Sequence, residues 1–387
     1  MKRFIPLALI VPLAVAGCSS SKSSTATNAT TTVPSASSST AGSGGSTGGS
    51  SGSADMKLGN PTSAVTLTEA GSSLLYPYLQ LLVDPLHSMY SNVTLQPAAG
   101  GSGKGISDAI AGTTTMGGSD AYLSSSQLSS NPGLLNVPIA VSSQAVNYNL
   151  PGVTNLKLSG DVLAKMYQGS IKTWNDPAIK ALNPGANLPS TAVVPVRRVD
   201  SSGDTFLFTS YLSAANQAWS NGPSMGTTVS WPSVSNEVTA QGNPGMVQTC
   251  GTTPGCVAYI GISAESTAQK AGLGEAMLQN KSGSFLQPNP STVQAAVTAG
   301  ASNVPDNLAA SLIYEDGTNS YPIVNFEYIV VKSKQSSADT AQAVRDFLDF
   351  AISPTGGASS TYLDKEQFQA LPANVLAKVQ TAISSIQ

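Results

Sequence analysis

The 387-residue chain has 18 Lys and Arg against 21 Asp and Glu, for a net charge of −3, and only 10% of its residues are charged, against roughly 25% in an average globular protein. This composition excludes a nucleic-acid binder, which needs a basic face, and means that any anion must be drawn by a local field. With one histidine and three cysteines, there is little material for a metal centre.

The chain opens with the basic Met1-Lys2-Arg3 and the apolar run Phe4 to Ala14, and Val15-Ala16-Gly17-Cys18 then fits a lipoprotein cleavage box. Residues 1–17 read as a signal peptide, and Cys18 reads as a lipidated N-terminus on the extracytoplasmic face of the membrane. The apolar run is too short to span a bilayer, although an uncleaved anchor is the rival reading. Residues 18–60 are Ser, Thr, Gly and Ala with almost no large apolar side chain, a composition that cannot bury enough surface to offset its ordering entropy. They form a disordered tether. The remaining stretch of about 325 residues exceeds what one hydrophobic core covers, so two lobes are expected.

Val65 to Glu69 alternates as a strand, and Ala70-Gly71-Ser72-Ser73 leads into Leu74 to Leu82, apolar at helical spacing, with Ser72 or Ser73 as N-cap. Val93 to Gln96 is a short strand, followed by a glycine-rich turn and a helix that carries Ile106 and Ile110 and stops at Gly112. The glycines suggest a P-loop, but Gly105 follows Lys104 where Ser or Thr is required, and Ala98 stands where the first Gly belongs. What survives is a helix start with Ser102 at its mouth. Thr115 to Tyr122 reads as a strand ending on Asp120, and Val137 to Leu150 as an extended passage that could carry the chain between lobes. Two helical patterns fall within Lys157 to Lys180. Cys250 and Cys256 close a short loop; outside the cytoplasm a disulfide is the natural reading, worth about 2 kcal/mol for so small a loop. A zinc site would need two further ligands, and His87 is far away. Val257 to Ile262 is a buried-strand candidate, Tyr321 to Val331 a second long strand and return crossing, and Thr340 to Ala351 and Leu371 to Ile386 are helical. The alternation makes the class α/β.

The chemistry concentrates in Val196 to Phe208. The run begins where the β-rich stretch Ala192 to Val196 ends and places a fixed cation at Arg198; Ser202-Gly203 turns the chain into a helix start, which offers unpaired N–H groups and the positive end of a dipole. This is an anion site. Asp204 sits among the donors, and an anion tolerates it only by bringing protons of its own. Ser73, Ser102 and Asp120 are the other residues at strand-to-helix turns. Taken singly, each has an ordinary reading: a Ser before a helix is usually a cap, an Asp at a strand end a turn residue, and Arg198 could pair with Asp200 on the surface.

Seven blocks occur in one order: Gly71 to Pro77, Gly103 to Ile106, Gly118 to Leu123, Val146 to Gly152, Met166 to Trp174, Ser202 to Thr209 and Gly255 to Ser263. Together they resemble the phosphate-binding lipoproteins of Pst-type ABC importers, especially those of mycobacteria and related actinobacteria, from about Val65 to the C-terminus. The resemblance implies a two-lobed periplasmic-binding-protein-like (type II) α/β fold with two hinge crossings, residues 61–148 plus 325–387 forming lobe I and 149–324 lobe II. It implies phosphate held by Ser73, the N–H of Leu74, Ser102, Asp120, Arg198, Ser202, Gly203 and Asp204, with Asp200 orienting the arginine. Implied partners are inorganic phosphate, the permease and ATPase subunits of an importer, and the membrane through Cys18; no cofactor and no nucleic acid are implied. Lys104 stands where relatives often carry a small residue, either as a second cation at the cleft or as a solvated side chain.

The physical logic runs the same way. Phosphate carries protons near neutrality and sulfate does not, so a carboxylate that accepts a proton from the ligand favours phosphate and leaves an unpaired repulsion with sulfate. Two aspartates would ask for two ligand protons unless one is engaged elsewhere. The rival readings are a secreted phosphate-ester hydrolase, which would want metal ions or a base beside a nucleophile, and a binder of sulfate or another oxyanion.

Overall fold

A computed structural model describes residues 59–387; the signal peptide, Cys18 and nearly all of the tether lie outside the described residues. In chain order the first elements are β1 (Val65–Gly71), α1 (Tyr76–Met89), β2 (Val93–Gln96), α2 (Ser102–Ala111), β3 (Met116–Ser119), α3 (Ser125–Ser130) and the long β4 (Leu134–Tyr148). Next come β5 (Lys157–Leu158), α4 (Gly160–Tyr167), α5 (Pro177–Leu182), β6 (Val194–Arg198), α6 (Gly203–Ala215), α7 (Gln217–Asn221), β7 (Val238–Ala240), α8 (Gly242–Thr252) and β8 (Cys256–Gly261). The chain closes with α9 (Glu265–Lys270), β9 (Gly274–Glu275), β10 (Met277–Gln279), β11 (Phe285–Leu286), α10 (Pro290–Gly300), β12 (Val324–Lys332), α11 (Ala338–Ile352), α12 (Ser360–Leu363) and α13 (Ala373–Ser384).

A curled nine-stranded sheet runs in the order β2-β1-β3-β12-β4-β8-β6-β7, with β9 added to β4. One parallel group, β2-β1-β3, and another, β8-β6-β7, flank the antiparallel centre formed by β12 and β4. The extended passage expected from Val137 to Leu150 is one continuous strand, Leu134–Tyr148. It pairs with β12 along Leu134–Ser143 and with β8 along Gln144–Tyr148. The strand expected from Tyr321 begins only at Val324.

Helices cover both faces with apolar stripes. Tyr78, Leu79, Leu82 and Leu86 are the buried positions of α1, and α11 buries Val344, Phe347, Leu348 and Ala351, giving the i, i+3, i+4 spacing of a core-facing stripe. The α2 helix stops at Gly112, whose φ of 74° lies in the left-handed region that glycine adopts without strain. In the other half, Phe208 of α6 stacks on Tyr259 of β8 with ring centroids 4.6 Å apart, an aromatic pairing that locks α6 onto the sheet. Cys250 at the end of α8 and Cys256 at the start of β8 form a disulfide, and His87 faces its own surroundings, with Nδ1 2.9 Å from the Val93 carbonyl oxygen.

Candidate functional site

In open α/β sheets ligands gather outside the carboxyl ends of the parallel strands, and here five of the six such ends contribute. β1 runs into Ser72 and Ser73, β2 into Gly101 and Ser102, β3 into Asp120, β6 into Arg198 to Ser202, and β7 into Gly242 and Asn243. All the candidate residues named from the sequence, scattered from Ser73 to Asp204, converge on this one region.

The three serine-bearing helix starts are not alike. Ser72, rather than Ser73, caps the turn into α1: its Oγ accepts the N–H groups of Leu74 and Leu75, each at 3.0 Å, and its carbonyl accepts that of Tyr76. Ser73 Oγ instead accepts from the backbone and side-chain nitrogens of Asn243, at 3.1 and 3.3 Å. Ser102 lies inside the first turn of α2, with Gly101 in the cap position. Its Oγ accepts the Asp120 N–H at 3.1 Å and lies 3.3 Å from Asp120 Oδ2. Only Ser202 is a side-chain N-cap, accepting the N–H of Thr205 at 3.3 Å. Its hydroxyl proton stays free to point outward, and the N–H groups of Gly203 and Asp204, the first two of α6, have no carbonyl four residues back to bond.

Arg198 is 3% exposed, so the surface-pair reading does not hold. Its Nε donates to Asp200 Oδ1 at 2.8 Å, one terminal nitrogen donates to Asp200 Oδ2, and the other donates to Asp204 Oδ2 at 2.7 Å. Against the opposing effect of burial, the two carboxylates raise the guanidinium above its ordinary range. Burial works against Asp200 as well, yet Arg198 and the Gly242 N–H hold its carboxyl below the usual range. The turn itself is fixed from behind: Tyr259 Oη accepts the Arg198 N–H at 2.9 Å and lies 2.8 Å from Thr205 Oγ1.

Asp204 accepts from Arg198, from Asn243 Nδ2 at 2.8 Å and from Gln144 Nε2 at 3.0 Å. Burial pushes its carboxyl up, and these three donors pull it back. Because every partner donates, the arrangement serves the ionised form. Asp120 is surrounded differently. Ser72 Oγ donates to its Oδ1, Ser102 stands at its Oδ2, and no cation touches it. Burial and then the Asp204 charge push it up to about 7. Next to it lies Glu327 of β12, fully buried and pushed well above the usual range by burial and then by the Asp120 charge.

The halves of the sheet close on each other at two glycines. A β-carbon on Gly203 would collide with Asp120 Oδ2 and Ser102 Oγ, and one on Gly101, whose φ is 88°, would fall 2.6 Å from the Ser201 carbonyl oxygen. The Gly103 N–H donates to that same oxygen at 3.0 Å. Backbone can come this near only where no side chain intervenes.

Sequence reasoning missed Asn243, Gln144 and Glu327. Asn243 had a signal, since Val238 to Pro244 is one more strand, glycine turn and helix start. Glu327 is a lone acid in a strand that otherwise reads as buried. Gln144 had none. Lys104, left open above, forms an ion pair with Asp108 one turn along α2 and is half exposed. Among the described residues, no three His, Cys, Asp or Glu side chains are grouped so as to hold a metal ion, and no helix is long and apolar enough to cross a membrane.

Comparison with known proteins places this geometry in context. A model of the PBP superfamily domain matches residues 23–355. The chain is 35% identical over 324 residues to the phosphate-binding protein PstS of Pasteurella multocida, covering 82% of this chain and 90% of that one. It is 33% identical over 310 residues to PstS of Methanocaldococcus jannaschii, covering 75% and 79%, and 32% identical over 332 residues to PstS3 of Mycobacterium bovis, covering 83% and 86%. Among solved structures, it resembles a high-affinity periplasmic phosphate-binding protein, PfluDING, bound with phosphate, with a TM-score of 0.65 and 21% identity over 82% of this chain and 93% of that one. A Clostridium perfringens putative phosphate ABC transporter substrate-binding protein with bound phosphate matches with a TM-score of 0.58 and 16% identity, covering 80% and 100%.

Proposed function

This chain belongs to the PBP superfamily and, within it, to the PstS family of phosphate-binding proteins, and from that premise we propose how its site captures inorganic phosphate for delivery to a Pst-type ABC importer. It is a binding protein of two-lobed type II fold, not an enzyme. We read residues 61–148 plus 325–387 as one lobe and 149–324 as the other, a division supported by the change of partner along β4 from β12 to β8 at Ser143 to Gln144.

The ligand set we assign is the Ser73 and Ser102 hydroxyls, the Leu74 N–H, Arg198, the Ser202 hydroxyl, the N–H groups of Gly203 and Asp204, and the Asp120 carboxylate, with Asp200 orienting Arg198. The site is not a pool of positive charge, since Arg198 already answers to Asp200 and Asp204. Hydrogen-bond donors and helix N-termini therefore hold the anion. One observation carries the selectivity: Asp120 is a buried carboxyl with no cation touching it, whereas Asp204 is saturated by three protein donors. A single acceptor is left for a single ligand proton. That removes the requirement for two protons which a pair of free aspartates would impose, and it admits the dibasic ion. Sulfate, with no proton to give, would meet Asp120 as an unpaired repulsion.

The protein is extracytoplasmic, and anchoring through lipid on Cys18, with residues 18–60 as tether, is part of the same proposal. Titration calorimetry of the phosphate-stripped full-length chain with phosphate and then sulfate tests the cargo. One-to-one binding of phosphate without sulfate heat is the expected result; equal binding of the two anions would sink the proton-acceptor argument.

A further inference from the structure

The pairing of β12 with β4 shifts register between Glu327, opposite Ala140, and Tyr328, opposite Pro138, so that Ile139 is the extra residue of a bulge. Bulges re-aim side chains and recur beside functional sites. Here the neighbouring side chain is Glu327, the one acidic residue of β12 and 0% exposed. Its Oε1 is held by Ser142 Oγ at 2.5 Å and Asn325 Nδ2 at 2.8 Å, while Oε2 is buried with no partner. An orphaned carboxyl oxygen in the interior is costly unless it carries a proton with somewhere to go. The antiparallel register that sets Tyr328 opposite Ser119 of β3 brings Glu327 alongside Asp120, the residue that follows that strand.

Two buried carboxyls set side by side cannot both ionise near neutrality. Asp120 has the better claim to the charge, because Ser72 donates to it and Arg198 lies beyond. The titratable and charged groups around Glu327 are Asp120 after β3 and Tyr328 on its own strand, with Asp204 and Arg198 across the site from Asp120; Ser142 and Asn325 supply only neutral donors.

We infer that Glu327 is a positioning residue that carries a proton on Oε2 and donates a hydrogen bond through it to Asp120, keeping Asp120 the ionised acceptor of the phosphate hydroxyl. The proton stays on Glu327 and the ligand's proton stays on the ligand, so Asp120 accepts two hydrogen bonds at once and is not itself protonated. The inference rests on the phosphate reading above. It also fixes the sign of a pH effect. As pH rises Glu327 loses its proton, a second carboxylate then faces Asp120 and the dianion, and phosphate affinity falls. A glutamine at 327 donates the same hydrogen bond and has no proton to lose.

The experiment is phosphate titration of the wild-type chain, Glu327→Gln and Glu327→Leu from about pH 8 to about pH 10, where free phosphate keeps one proton throughout, with sulfate competition near neutrality. Wild type should weaken more steeply with rising pH than Glu327→Gln, which should drift by no more than about threefold. Glu327→Leu removes the donor, lets Asp120 take up a proton more readily, and should reduce the phosphate-to-sulfate preference by about tenfold near neutrality; circular dichroism establishes that it is folded. Coincident pH profiles for wild type and Glu327→Gln would overturn the inference, as would an unchanged anion preference in a folded Glu327→Leu. Failure of the wild type to bind phosphate at neutral pH would instead remove the reading beneath it.

Discussion

Asp120, just after β3, and Asp204, in the first turn of α6, lie in opposite halves of one sheet, 2% and 1% exposed, and their surroundings are opposite in kind. Asp204 is enclosed by a guanidinium and two amide groups, all of which donate. Asp120 is met by two hydroxyls and a second carboxyl. Burial alone pushes both upward; what separates them is the charge and hydrogen-bond direction of the neighbours. In the phosphate-binding reading proposed above, the same residue type would serve as a structural anion that fixes an arginine in one half and as the acceptor of a ligand proton in the other.

Arg198 joins the two roles, so removing it should have the largest effect. Arg198→Ala leaves the buried Asp204 and the half-buried Asp200 without their cation, a loss on the order of 3–5 kcal/mol, and should abolish measurable binding of every oxyanion by calorimetry. If binding survives, the ligand's cation is not Arg198. Next in size is the contrast between the aspartates themselves. Asp120→Asn should weaken phosphate binding by about 10- to 100-fold and narrow the gap to sulfate, because an amide nitrogen can donate to either anion. Asp204→Asn should leave the anion preference near wild type and instead lower the melting temperature of the ligand-free chain. A reversal of these two outcomes would exchange the roles assigned above. The smallest effect belongs to Lys104→Ala, which removes only a solvent-facing i, i+4 pair with Asp108 and should change phosphate affinity by less than about twofold.

How much of this could be read from the sequence follows from how local each feature is. The strand, turn and helix start at Val194 to Ala215 is written in consecutive residues, and Arg198, Asp200 and Asp204 sit close enough along the chain that their mutual neutralisation could be anticipated. The disposition of Ser72 and Ser73 could not. Which of two adjacent serines caps the turn depends on where Asn243 comes to lie, and that is settled by β7 pairing with β6 far along the chain. Gln144 and Glu327 belong to the antiparallel centre, where the side-chain pattern speaks only of burial. The role of Glu327 is tied to a bulge, and a bulge is a property of two strands in register, which no single run of residues encodes.

β4 carries a final consequence. It is buried at all but one of its fifteen positions, with its first stretch completing one half of the sheet and its last stretch the other. A chain cut between the halves would leave one part with an open, apolar sheet edge and the other without the strand on which its layers are assembled. The two halves of the sheet are thus joined through an unbroken ribbon, along which a change in their relative position would act as twist.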